Sequence, residues 1–294
     1  MHIPSSMLHG AVCPVTLAVA GAGIGWAAYA ARKSPRRPSA LRLAAVTALV
    51  FALQMLNYPV ANGTSGHLLG AVLAVSLVGV PFAVLAMAAV LLVQAFLFGD
   101  GGILAVGANI INMSLIGAGA TGWLYERLNA RGLNPSVSLA GAAWFSMAAA
   151  AMACSLEVAW SGAVALGKVV PAMLSVHVLI GAGEALLTLL FATALRWAAS
   201  RFQASERAGI WSASVLALLA VLASPWASTF PDGLERVAER LAFASFPSFS
   251  LPAWFADYQA PWLGGGSAAT LLAGLAGVLA AAVLAGALSR LYRV

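Results

Sequence analysis

Apolar residues along this chain fall in blocks of roughly 20, separated by short clusters of glycine, proline and arginine. That is the length an α-helix needs to cross a bilayer core of about 30 Å. The blocks lie near 12–31, 43–60, 66–80, 81–98, 103–124, 138–158, 170–195, 209–226 and 266–289. They predict an all-α polytopic integral membrane protein with about nine transmembrane helices. Pro59, Pro81 and the turn Gly99–Gly102 punctuate the series, and the blocks 66–80 and 81–98 meet in a tight uncharged turn.

Composition agrees with the pattern. Of 294 residues, 62% are hydrophobic and 8% charged, against about 25% charged in soluble domains. Most of the surface is therefore expected to face the lipid bilayer. The net charge of +6 then bears on topology and calls for no nucleic acid partner. With the N-terminus outside and the spans alternating, the cytoplasmic loops receive Arg32, Lys33, Arg36, Arg37, Arg42, Arg127, Arg131, Arg196, Arg201, Arg207, Arg290 and Arg293. Only Lys168, Arg236 and Arg240 fall outside, so the positive-inside rule favours N-out, C-in. The tripeptide Ala28–Ala30 has the small-residue look of a signal-peptidase site. Cleavage there would translocate the basic run RKSPRR, so Met1 is expected to stay in the mature chain.

An exposed start with His2 in second place has its own chemistry. The terminal amine, the amide nitrogen of His2 and its imidazole can close adjacent chelate rings on one metal. Only a strongly polarising late transition metal displaces the amide proton. Three such nitrogens lie near one plane, and a fourth would complete the square-planar set typical of Ni(II) or Cu(II). His67, in NGTSGHLLG at the outer end of the third block, is the better candidate for the fourth. His9 is nearer in sequence but lies beyond Pro4 on the way into the first helix. The plainer alternatives are a solvated chain end and a hydrogen-bonded interfacial histidine.

The opening MHIP, the stretch NGTSGHLLG, the segment GANIINMSLIGAGATG and the segment HVLIGAGEALLT, in this order, resemble the nickel/cobalt-binding membrane subunit of energy-coupling-factor (ECF) uptake transporters, the CbiM/NikM family. The resemblance covers roughly residues 1–205. Beyond it, SPWASTFPDGLERVAE and DYQAPWL resemble the CbiN/NikN accessory subunit with its PDGLE signature, over 206–294. The chain is thus expected to fuse a metal-capturing S component with an accessory segment of two helices and an extracytoplasmic loop.

The resemblance implies that the metal is held at the outer face by the Met1 amine, the amide and imidazole nitrogens of His2, and His67. It implies no resident cofactor, only transported Ni(II) or Co(II). It also implies partners: a transmembrane coupling subunit and two ATP-binding-cassette ATPases in a bacterial cytoplasmic membrane. In accord, no Walker A sequence occurs in the chain, and the chain is not expected to be an enzyme. Ser5 and Ser6 stand where the family commonly has an acidic residue and a glycine. Since free imidazole titrates near pH 6.5, metal binding is expected to weaken steeply below about that pH.

Other residues carry weaker signals. Glu184 is the acidic residue placed deep in a span, where an ionisable group is costly and often functional. His177 precedes it by two helical turns on the same face. The pair could form a proton or metal relay, but a structural role is favoured, with Glu184 bonding across helices to Asn109 or Asn112. Cys13 and Cys154 read as small apolar residues. Gly21 and Gly25 form a small-xxx-small face for internal packing or for a coupling subunit. PDGLE (Pro231 to Glu235) could supply carboxylates to a metal, but a turn opening a short amphipathic helix on the outer surface is the favoured reading. The competing functional classes are an intramembrane metal- or haem-dependent enzyme using His177 and Glu184, and a passive metal channel. Neither uses the first two residues.

Overall fold

The computed structural model describes residues 1–201, 205–243 and 253–292. One 3-10 turn, Ser5–Met7, precedes α1 (Val12–Lys33) and α2 (Ala40–Gln54). A hairpin follows, β1 (Asn57–Pro59) antiparallel to β2 (Ser65–His67), with Asn57 opposite His67. Next come α3 (Ala71–Val78) and α4 (Val80–Val93), the latter running on as a π-helical turn, Gln94–Phe98. α5 (Val106–Asn109), a π-helical stretch Ile110–Ala120 and α6 (Thr121–Ala130) follow one another without a break. The remaining helices are α7 (Pro135–Trp160), α8 (Leu166–Arg201), α9 (Glu206–Ala223), the short α10 (Gly233–Leu241) and α11 (Ser267–Leu288).

Local chemistry sets many of these boundaries. Ser39, Asn134 and Ser205 accept hydrogen bonds from the first free amides of α2, α7 and α9, satisfying donors that a helix start leaves unpaired. Pro135 follows Asn134 where its missing N–H costs nothing.

Among the described residues, six helices are long and apolar enough to cross a membrane: 12–33, 80–98, 135–160, 166–201, 206–226 and 267–292. The expected count of nine is not confirmed. The block 43–60 divides into α2 and β1; α2 has 15 residues and rises only about 22 Å. The block 66–80 divides into the end of β2 and the eight-residue α3. The block 103–124 is helical but irregular. Such segments persist at membrane depth only where protein surrounds them and satisfies their backbone. α3 is accordingly buried at most positions.

α4 forms the centre: 78% of its most apolar stretch is buried, against 22% for α1 and 28% for the stretch 267–292. The outer helices turn Trp26, Tyr29, Leu186, Trp197, Trp211 and Leu279 outward, a surface suited to lipid. Gly21 and Gly25 also face outward with nothing against them, so the internal-packing reading of that face is corrected.

The two ends of the bundle differ in chemistry. At one end Arg32 and Arg37 donate to the carbonyls of Leu291 and Tyr292, and Arg42 donates to Leu77. Arg293 lies outside the described residues. The N-terminal turn, the hairpin, the loop Gly99–Gly102 and α10 meet at the other end, where α1 begins.

Candidate metal centre

The first residues are buried within the protein. Met1 is 5% exposed, His2 8% and Ile3 0%. Asn109, at the end of α5, grips the main chain of Ile3 on both sides: its Oδ1 accepts from Ile3 N at 2.8 Å and its Nδ2 donates to Ile3 O at 3.1 Å. Gly102 N also donates to Ile3 O at 2.8 Å. A side chain at Gly102 would strike the backbone of Ser5, so this loop needs glycine to let the segment lie so close. Ser5 is itself buried, and its Oγ accepts from Leu104 N.

This grip delivers the Met1 amine to His67. The amine nitrogen lies 2.6 Å from His67 Nε2 and 2.9 Å from Asp232 Oδ2. His67 Nδ1 lies 3.1 Å from the Leu68 carbonyl, which can only accept. The ring proton therefore sits on Nδ1, and the Nε2 lone pair faces the amine. Burial, the positive amine and His2 push the His67 imidazole well below its usual pKa. Burial works the other way on Asp232, but the amine beside it holds the carboxyl well below the usual carboxylate range.

His2 lies over this pair, its ring stacked on His67 with centroids 5.3 Å apart. Its Nδ1 faces Asp100 Oδ1 at 3.2 Å and its Nε2 faces Gln94 Oε1 at 3.1 Å. Gln94 Nε2 donates in turn to Gln54 Oε1 and to the Tyr258 hydroxyl, which fixes the acceptor oxygen of Gln94 toward His2. Tyr258 also donates to Asp100. Burial lowers the His2 imidazole despite the raising pull of Asp100. A cavity of about 600 Å³ borders His2 and His67 and reaches the exposed Glu235 and Asp257.

The structure brings Met1, His2 and His67 together and sorts the other candidates away from them. His9 is exposed in the turn before α1. Asn109 holds Ile3, whereas Asn112 donates to Glu157 Oε2 at 2.6 Å. Glu184 accepts from Leu69 N at 2.6 Å and Gly70 N at 3.0 Å, so its partners are main-chain amides at the start of α3, and not Asn109 or Asn112. His177 donates from Nδ1 to Met173 O at 2.8 Å; it and Glu184 bond to different partners and form no relay pair.

Sequence reasoning missed Asp100, Gln94, Tyr258 and the buried Glu157, and it favoured a turn for Asp232 over a carboxylate metal site. The turn reading holds in part, since Asp232 caps α10 in a capping box with Glu235. Its second carboxylate oxygen is what points at Met1. Among the described residues no three His, Cys, Asp or Glu side chains gather to hold a metal.

Residues 2–202 match the CbiM family model, the cobalt uptake substrate-specific transmembrane region. This chain belongs to the CbiM family. Residues 207–294 match the PDGLE domain. A protein described as a putative fused nickel transport protein NikMN, from Archaeoglobus fulgidus, is 31% identical over 100% of this chain and 99% of its own length. The fused nickel transport protein NikMN of Rhodobacter capsulatus is 32% identical over 89% of this chain and 86% of its own. A crystal structure of a truncated transition metal transporter superposes with a TM-score of 0.60 at 32% identity, covering 66% of this chain and 98% of that one. With six membrane-length helices, this CbiM family member is a multi-pass membrane protein.

Proposed function

We propose that this chain is the metal-capturing membrane component of an ATP-driven ECF-type uptake transporter for nickel or cobalt. In this reading residues 1–205 form the S component and 206–294 the accessory segment. The metal-binding end faces out of a bacterial cytoplasmic membrane, and a coupling subunit with two ATPases completes the machine. Family membership supports metal uptake. The gathering of Arg32, Arg37 and Arg42 at the end opposite Met1 supports the orientation.

The observation that carries the site is the 2.6 Å between the Met1 nitrogen and His67 Nε2. Two nitrogens each about 2.0 Å from one metal and at right angles are about 2.8 Å apart. The pair therefore has nearly the spacing of two neighbouring ligands, with the His67 lone pair already directed inward. The other ligands are the His2 amide nitrogen and His2 Nδ1, which close a six-membered chelate ring. Nδ1 must exchange Asp100 for the metal, while Nε2–H keeps its bond to Gln94.

Capture follows as a ligand exchange. The hydrated cation enters through the cavity beside Asp100 and Glu235 and sheds water. The amine and the amide each release a proton, as does His2 Nδ1 where it donates to Asp100, and the nitrogens take their places. ATP hydrolysis in the partner subunits then supplies the work to release the metal inward.

The test is elemental analysis of purified protein loaded with nickel or cobalt, comparing the chain starting at Met1 with one carrying a long leader before it. Loss of stoichiometric metal from a folded leader variant is expected. Equal loading of both forms would sink the amine as a ligand.

A further inference from the structure

The PDGLE-matching part of the chain meets the Met1 amine through one carboxylate. Asp232 is held in a frame that leaves it little freedom. Its Oδ1 accepts from Leu234 N at 2.8 Å and Glu235 N at 2.9 Å, while Glu235 Oε2 accepts from Asp232 N at 2.9 Å. The frame is seated against α8: a Cβ on Gly233 would lie 2.8 Å from His177 Cε1, so only glycine lets α10 start there. The strand that carries His67 is tied to the same stretch, with Ser65 N donating to Pro231 O at 2.9 Å and Ser65 Oγ to Phe230 O at 2.8 Å. One oxygen of Asp232 is thus used by its own helix, and the other is aimed at the Met1 amine at 2.9 Å with 17% of the side chain exposed.

Resting on the proposed ligand set, we infer that Asp232 is a positioning residue of the metal centre, accepting a hydrogen bond from the Met1 amine while that amine is bound to the metal. An amine that coordinates through its lone pair keeps two N–H bonds, so one can continue to point at Asp232 Oδ2. The charge of the site is compatible with this role in both states. The ammonium carries one positive charge. A divalent metal with one deprotonated amide and three neutral nitrogens also carries one. The same carboxylate neutralises both, so the charge balance is kept on loading and the effect of Asp232 on affinity comes from orienting the amine. Partners that orient metal ligands in this way typically change affinity by 10–100-fold when removed.

Asp232→Asn and Asp232→Ser separate this role from helix capping, because both residues cap well and neither carries the charge. Nickel affinity would be measured by equilibrium dialysis on the full-length protein, with α10 and the fold checked by circular dichroism. The visible absorption band of planar nickel would be recorded at saturating metal. The expected result is about a 10–100-fold loss of affinity in both variants, with the band unchanged once the site is filled. Parent-like affinity in both would overturn the inference. So would a band displaced at saturation, which would make Asp232 a ligand. The leader variant keeps the two readings apart: if it binds as the parent does, the ligand set itself fails. If it loses metal while Asp232→Asn does not, only the role given to Asp232 fails.

Discussion

Asp232 and Glu184 approach the His67 hairpin from different helices, and both are held by main-chain amides. Glu184 spends both oxygens on Leu69 and Gly70, donors that the start of α3 would otherwise leave unpaired. Its bonds belong to the backbone and do not exchange. Asp232 spends one oxygen in that manner and turns the other to an amine that can take a metal. A buried acid in this protein is thus structural where its acceptors are saturated by backbone, and tied to the site where one faces an exchangeable group.

The sharpest way to break this contrast is His67→Ala. It removes a nitrogen from the proposed ligand set, and stoichiometric nickel or cobalt is expected to disappear on elemental analysis while Glu184→Gln retains it. Next in size is Asn109→Ala, which frees the main chain of Ile3 and thereby the chelating residues before it. Affinity should fall by about tenfold or more, read by equilibrium dialysis.

Glu184→Gln should act on stability. One of its oxygens becomes an NH2 facing a backbone N–H, leaving a buried donor unpaired at a cost of about 1–3 kcal/mol. The melting temperature in detergent should drop with metal stoichiometry intact; lost metal in a folded variant would erase the distinction drawn here. Gly233→Ala forces α10 away from His177 and should weaken metal binding only a few-fold, by moving Asp232.

The smallest effect concerns pH. Burial lowers the pKa values of His2 and His67 relative to about 6.5 for free imidazole. The unfolded chain therefore takes up protons first. The stability present above about pH 6.5 declines as pH falls from there toward the depressed folded values. Melts of metal-free protein should be flat above about pH 7 and descend below about 6.5; a midpoint unchanged down to about pH 5 would contradict the burial of these rings. The same shift means that protonation of the imidazoles competes with metal at lower pH than free histidine suggests.

The helical membrane character and the convergence of Met1, His2 and His67 were legible in the residues, because long apolar blocks and a second-position histidine each carry a specific physical constraint. The hairpin 57–67 was hidden, since Tyr58, Pro59 and Val60 extend the apolar run of α2 with only the uncharged Gln54 and Asn57 interrupting it. α3 was overestimated for the same reason: an interior segment as apolar as a membrane span reports burial, and protein or lipid can supply it equally. Asp232 and Asp100 escaped because they meet the first two residues, and Tyr258 because it meets Asp100, across some hundred residues or more. Periodicity carries no record of such contacts.

The ion pair between Met1 and Asp232 also closes residues 1–232 into a loop. Because both groups travel on one polypeptide, their encounter is governed by an effective concentration, on the order of millimolar for flexible tethers, and not by how much protein a cell makes. Dilution cannot strip the carboxylate from the amine. A nick in the chain between α8 and α9 would convert the contact into an ordinary bimolecular one, held only as tightly as the remaining interface allows.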